Sequence, residues 1–211
     1  MQRFSIITEA DARVLQPGST VELEAGGHVT PLAADTLRER RVSVVRADGA
    51  DLTDARALVP PADIRTVAIA SDHTGVALKG ALVAHLRAKG LKVLDLGTDG
   101  PGPVDYPDTA AAVARAVAHR ECEAGVAIDG AGIGSAIVAN KIPGVRAALG
   151  FTPTIARYSR EHNGANVLTL GATLLSVAEA QAIVDVWLAT PMTEPRYIRR
   201  LLKVRRVEEW T

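Results

Sequence analysis

Residues 124–146, AGVAIDGAGIGSAIVANKIPGVR, decide how the rest of this 211-residue chain is read. Gly125-Val126-Ala127-Ile128 is a short apolar run of the kind found in a buried strand. Asp129-Gly130-Ala131-Gly132-Ile133-Gly134 is a glycine-rich turn opened by a carboxylate. From Ser135 to Lys141 the pattern becomes helical, and Pro143-Gly144 ends it. A strand, a glycine turn and a helix start together present free N–H groups and the positive end of the helix dipole to an anion. Asp129 conflicts with that reading, because an acid at the mouth of an anion site repels the ligand unless it does chemistry or binds something else.

The surrounding composition narrows the choices. Apolar residues make up 47% and charged residues 23%, as in an ordinary globular protein. The 24 basic and 24 acidic residues cancel, which speaks against a non-specific nucleic-acid or anionic-membrane binder. Aromatics are only 3%, so a core of Val, Leu, Ile and Ala is expected, and this suits helices packed on a parallel sheet. Cys122 is the only cysteine, which excludes an intrachain disulfide and a cysteine metal cluster, and it reads as a structural thiol. No run is long enough to span a bilayer and no signal-peptide pattern opens the chain, so a cytoplasmic location is expected.

Outward from the opening stretch the chain alternates. Strand patterns at 66–70, 93–96, 125–128, 147–150 and 166–170 are separated by helical patterns at 76–89, 109–119, 135–141, 152–161 and 177–189. A basic, helical tail follows over 194–209. This spacing predicts an α/β fold of three layers, with a five-stranded parallel Rossmann-like sheet covered on both faces. Ligands of such sheets bind beyond the carboxyl ends of the strands. Those ends carry Asp72-His73, the loop 97–108, Asp129-Gly130 and residues 150–152. Residues 1–63 have a different texture and read as a small N-terminal extension, distinct from the main domain at 64–211. Thr8 with Asp11, and Thr30 with Pro31, mark two helix starts. Gly26-Gly27 reads as a turn, 42–45 as a strand, and 46–63 as a linker closed by Pro60-Pro61. So short an extension is expected to have little core of its own and to dock on something else.

The main domain resembles the ribose-5-phosphate isomerase B / galactose-6-phosphate isomerase family over roughly residues 66–206. The resemblance rests on SDHTG (71–75), DLGT (95–98), VDYPD (104–108), GAGIG (130–134), ANKIPGVRAAL (139–149), SREHNGANVLTLGA (159–172) and PRYIRR (195–200). Several motifs in the right order are far more specific than one glycine turn. It implies an aldose–ketose isomerase of sugar phosphates that works through an enediol, with no metal and no organic cofactor. It also implies a homodimer or tetramer whose active sites are shared between subunits. By the same resemblance Asp72 and His73 form the first-strand pair and Tyr106 lines the pocket. His162 assists ring opening and Asn163 holds sugar hydroxyls, while Arg196 and Arg200 bind phosphate. Tyr197 stands where the family often has histidine. The chemistry asks for these types independently: a base for the proton moved between adjacent carbons, donors for the developing oxyanion from the backbone of Gly130, Ala131, Gly132 and Gly134, and paired arginines for a phosphate dianion.

The chain departs from the family at its centre. Asp129 occupies the position of the family's cysteine base, Ala131 that of a common threonine, and Ser135 that of the glutamate base of a second subgroup. Three readings compete. Asp129 is the base, with burial raising its pKa toward neutrality. Or Asp129 holds hydroxyls and Asp72 is the base. Or the chain is a catalytically silent sugar-phosphate binder or scaffold. A dinucleotide-binding oxidoreductase is disfavoured, since the glycine turn does not follow the first strand and no acidic ribose-binding residue stands at the expected distance. Residues 5–45, with ITEADARVL and GGHVTPLAADTLRERRV, resemble the N-terminal segment of cobalamin adenosyltransferase-type proteins of bacterial microcompartments. This implies docking of residues 1–45 to shell or cargo proteins, with the chain inside such a compartment, and it brings no cobalamin chemistry.

Overall fold

The computed structural model describes residues 1–46 and 57–208. Residues 47–56, most of the expected linker, and 209–211 lie outside the described residues. The chain divides into two compact units, residues 1–51 and 52–211.

The first unit alternates β1 (Arg3–Ile7), α1 (Glu9–Val14), β2 (Thr20–Val29), α2 (Pro31–Glu39) and β3 (Ser43–Arg46). Its three strands are parallel, in the order β1-β2-β3. Both expected helix starts are present. Thr8 and Asp11 close a capping box, and the Thr30 hydroxyl accepts from the Ala33 N–H with Pro31 in the first turn. Two expectations fail. The unit does have a core of its own, built from Ile7, Ala12, Leu15, Val21, Leu23, Ala33, Leu37 and Val42. And Gly26-Gly27 does not turn the chain. Strand β2 runs through it, with Gly26 at φ +80° and a jump in register against β1 from Phe4↔Leu23 to Ile6↔His28. Glycine here absorbs an irregularity within a strand.

The second unit is a three-layer α/β/α structure. It runs β4 (Thr66–Ser71), α3 (Val76–Ala88), β5 (Lys92–Asp95), α4 (Tyr106–Ala118), β6 (Ala124–Asp129), α5 (Ile133–Ala139), β7 (Ala147–Leu149), α6 (Pro153–Asn163), β8 (Val167–Gly171), α7 (Val177–Ala189) and α8 (Pro195–Glu208). The five strands are all parallel, in the order β5-β4-β6-β8-β7. Helix α4 starts three residues earlier than the sequence pattern suggests, because Pro107 fits its first turn.

The two faces of this sheet are built differently. Val67, Ile69, Val126, Ile128, Leu168 and Leu170 face Leu82 and Leu86 of α3 and Ile183 and Trp187 of α7. The opposite face carries Ala68, Ala70 and Ala127 against Ala110, Val113 and Ala114 of α4. Alternation along each strand puts large side chains on one side and small ones on the other. Helix α4 therefore lies close to the sheet: a methyl group on Gly125 would sit 2.6 Å from Val113 Cγ1.

These two faces should respond differently to mutation. Leu82→Ala is expected to cost about 2–5 kcal/mol by leaving a cavity. Gly125→Ala should cost about 1–3 kcal/mol by overpacking. Both are read as a lower midpoint of urea unfolding with an unchanged slope.

Candidate active site

In the strand order the direction of winding reverses between β4 and β6, so a crevice opens at their carboxyl ends. Asp72 follows β4 and Asp129 ends β6, and both carboxylates are buried. The Asp72 N–H donates to Ile128 O at 3.0 Å, which ties the two strand ends together.

Asp72 folds onto its own turn. Its Oδ1 accepts from the Thr74 N–H at 2.8 Å and from the Thr74 hydroxyl at 2.6 Å, while its Oδ2 makes no hydrogen bond among the described residues. His73 is exposed. Its Nδ1 lies 3.2 Å from Val104 O and 3.3 Å from Val104 N, so either tautomer finds a partner in the loop before α4. That loop is held in turn by Lys79, whose Nζ reaches Asp95 and Asp99 at 2.6 Å each. Tyr106, at the start of α4, packs its ring on the glycine turn: a methyl group on Gly134 would meet Tyr106 Cε2 at 2.5 Å.

Asp129 is gripped more fully. Its Oδ1 accepts from the N–H groups of Ala131, at 2.8 Å, and Gly132, and its Oδ2 from the N–H of Ser135 at 2.8 Å. The turn needs glycine at Gly132, where φ is +78° and a methyl group would sit 2.5 Å from Leu149 Cδ1. Burial by itself pushes the Asp129 carboxyl up, but its hydrogen bonds outweigh that and hold it below the ordinary aspartate value. The Ser135 hydroxyl lies beside the carboxylate without the alignment of a good hydrogen bond, so the three backbone donors carry most of this lowering. The expectation of a pKa raised toward neutrality is thus overturned, since a carboxylate bound by three N–H groups is stabilised in its charged form. A second correction follows. The N–H groups of Ala131 and Gly132 serve Asp129, and the carbonyl of Gly130 is taken by the N–H and hydroxyl of Thr173 at 3.0 and 2.6 Å. The N–H groups of Ile133 and Gly134 make no hydrogen bond among the described residues and remain available to an incoming oxyanion.

The remaining expected residues form a second cluster. Helix α6 runs back across the sheet from the end of β7 to the start of β8, so His162 and Asn163 lie at the amino ends of the strands. Nearby, Arg146, just before β7, donates to Gly164 O at 2.8 Å. His162 stacks on Tyr158 (centroids 4.7 Å apart) and meets Tyr197 in a tilted contact (4.4 Å). Arg196 and Arg200 lie over the Tyr197 ring at 4.6 and 5.4 Å, and Asn163 Nδ2 donates to Tyr158 O at 3.3 Å. One chain therefore brings Asp72, His73, Tyr106 and Asp129 together, and separately His162, Asn163, Arg196 and Arg200, at opposite ends of the same sheet.

Sequence reasoning missed Thr74, Thr173 and the partners of Tyr158 and Tyr197. Thr74 was legible as a Ser/Thr two residues after an aspartate at a strand end. Thr173 was not, since it meets Gly130 only because β8 lies beside β6. Cys122 is buried at the amino end of β6, and burial pushes its thiol up to about 11, which suits a structural thiol. Among the described residues no helix is long and apolar enough to cross a membrane.

The grip on Asp129 has a pH signature. Its folded pKa lies below the unfolded one, so its stabilisation is present above the unfolded value and lost as pH falls through the folded value. In Asp129→Asn the new amide NH2 faces the Ser135 N–H or the Ala131–Gly132 pair. The variant should be less stable than the wild type at pH 7, and the gap should close below about pH 4. Thermal melts from pH 2 to 8 measure it.

The profile of the ribose/galactose isomerase family matches residues 67–204. Ribose-5-phosphate isomerase B of Escherichia coli is 38% identical over 146 residues, 69% of this chain and 98% of that protein. The structure of Clostridium thermocellum ribose-5-phosphate isomerase B superposes with a TM-score of 0.67 at 42% identity, covering 68% of this chain and 97% of that one. That of the Mycoplasma genitalium enzyme, with bound ribulose-5-phosphate, gives 0.66 at 38% identity, covering 69% and 97%. With the match spanning nearly all of the second unit, the chain belongs to the ribose/galactose isomerase family.

Proposed function

We propose that this chain is an aldose–ketose isomerase of sugar phosphates, acting on ribose 5-phosphate or a shorter relative, with Asp129 as the proton carrier. The observation that carries the reading is a buried, ionised carboxylate at the carboxyl end of the central strand, beside Asp72, in a chain of this family. Asp129 takes the proton from C2 of the open-chain aldose and leaves an enediolate. The N–H groups of Ile133 and Gly134 take up charge on the neighbouring oxygen. The same carboxylic acid then returns the proton to C1 as the O2 hydroxyl proton passes to O1, which gives the ketose. A carboxylate held low is a weaker base than one tuned to neutrality. Substrate entry removes water from the site, strengthens the desolvation already acting on Asp129, and raises its proton affinity.

The second cluster belongs to this reaction only if it comes from a second copy. His162 and Asn163 of that copy would open the ring and hold hydroxyls, with Arg196 and Arg200 on the phosphate. Exposed apolar side chains support a self-association face on the same unit: Ile133, Ile137, Phe151, Ile155 and Tyr158 are each between 42% and 59% exposed. Residues 1–45, with their own fold, are proposed as the docking or encapsulation segment.

One observation favours a second assignment of the base. Both oxygens of Asp129 are engaged by its own turn, whereas Oδ2 of Asp72 is unengaged among the described residues. In that reading Asp129 clamps the turn and Asp72 moves the proton.

Turnover of ribose 5-phosphate and of tetrose phosphates, with solvent-deuterium incorporation, separates these cases. With Asp129 as base, Asp129→Asn should lower kcat about 10²- to 10⁴-fold. Full activity in that variant, with loss in Asp72→Asn, would move the base to Asp72. Phosphosugar binding with no exchange in the wild type would make the chain a silent sugar-phosphate binder. The shared site has a separate test. Asp129→Asn and His162→Ala, each defective alone, should regain activity when mixed subunits assemble, since one of the two sites is then intact. Absence of any recovery would place both residues in one subunit's site.

A further inference from the structure

We propose that Tyr197 is a positioning residue that fixes the ring-opening histidine and the phosphate-binding arginines on one platform, an inference that rests on the isomerase reading above. Four contacts converge on this side chain. The His162 imidazole lies 4.4 Å from its ring centroid, tilted by 38°. The Arg196 and Arg200 guanidinium carbons lie over the ring at 4.6 and 5.4 Å. The Tyr197 hydroxyl accepts a hydrogen bond from Arg196 Nη2 at 2.7 Å.

A histidine at 197 would give the same neighbours a smaller ring that itself competes for the phosphate. A tyrosine does something different. Its electron-rich face attracts both guanidiniums, and its hydroxyl holds one of them at a set angle. Its ring also gives His162, which stacks on Tyr158 at 4.7 Å, a second aromatic neighbour in a tilted contact at 4.4 Å. Long arginine side chains lose much rotamer freedom on binding an anion. Holding them in advance lowers that cost. The tyrosine therefore need not touch the substrate to matter. It couples the end of the site that holds phosphate to the end that opens the sugar ring.

The full chain is compared with Tyr197→Phe and Tyr197→Leu. Phenylalanine keeps the platform and removes the hydroxyl; leucine removes both. The readouts are calorimetric titration with inorganic phosphate and the KM-against-kcat split on ribose 5-phosphate. Loss of a hydrogen bond to a charged donor predicts that Tyr197→Phe binds phosphate about ten-fold more weakly and raises KM comparably. Its kcat should stay close to the wild-type value. Tyr197→Leu should show the same loss and in addition a clear fall in kcat, as His162 loses one of its two aromatic neighbours. Unchanged phosphate affinity in Tyr197→Phe, or an equal fall in kcat for both variants, overturns the platform. If the wild type does not turn over sugar phosphates but the phosphate affinities still follow this order, the platform stands and the isomerase reading falls.

Discussion

Three backbone N–H groups converge on the Asp129 carboxylate, and much of the site's character depends on that grip. A carboxylate here does the work an external anion would otherwise do. It satisfies the donors of the glycine turn, orders the turn around itself and starts helix α5. The turn then has little left to offer a phosphate, and the seat proposed for phosphate lies elsewhere, among Arg196 and Arg200. The acid that looked misplaced at an anion site occupies that site itself. Its low proton affinity is the cost of this arrangement, and any chemistry asked of it must begin from the charged form.

The sheet beneath this turn explains how the site's walls come so close. Small residues on one face of β4 and β6 let α4 lie near the strands, and the first residue of that helix is Tyr106. Its ring then rests on Gly134 without space for a side chain there. The larger residues on the other face of the sheet hold α3 and α7 and serve stability instead. One sheet thus separates two demands, with dense apolar packing on one side and close approach on the other.

Much of this was readable from residue order. The threonine caps at Thr8 and Thr30, the alternation of strands and helices, and the glycine turn after the central strand are local patterns, and the folded chain keeps them. What escaped the reading was non-local. Gly26-Gly27 has the composition of a turn, yet the pairing of β2 with β1 carries the strand straight through it. The first unit has a core because buried residues far apart in sequence, from β1 and β2 and from helices α1 and α2, meet in one cluster. The burial of Asp129 was anticipated correctly, but its consequence was not. The sign of the pKa shift depended on N–H directions that no residue pattern records. The separation of His162 from Asp129 was implicit in the helix between them, since a helix that follows one parallel strand must return to the start of the next.

Two guanidiniums, Arg160 buried and Arg146 half-buried, give the boundary between the units a practical meaning. Arg146 donates to Leu58 O at 2.7 Å, and Arg160 to Pro61 O at 3.0 Å, and among the described residues their other acceptors are the carbonyls of Gly164 and Ala165. Residues 58–61 therefore belong physically to the second unit, although their composition is that of a connector. A protease cut upstream of Leu58 would release a unit with these cations still satisfied. Excision at Arg65, where the first strand's pattern begins, would strip both of an acceptor in a region shielded from water. The second unit's hydrogen bonding therefore includes a short proline-containing leader ahead of β4.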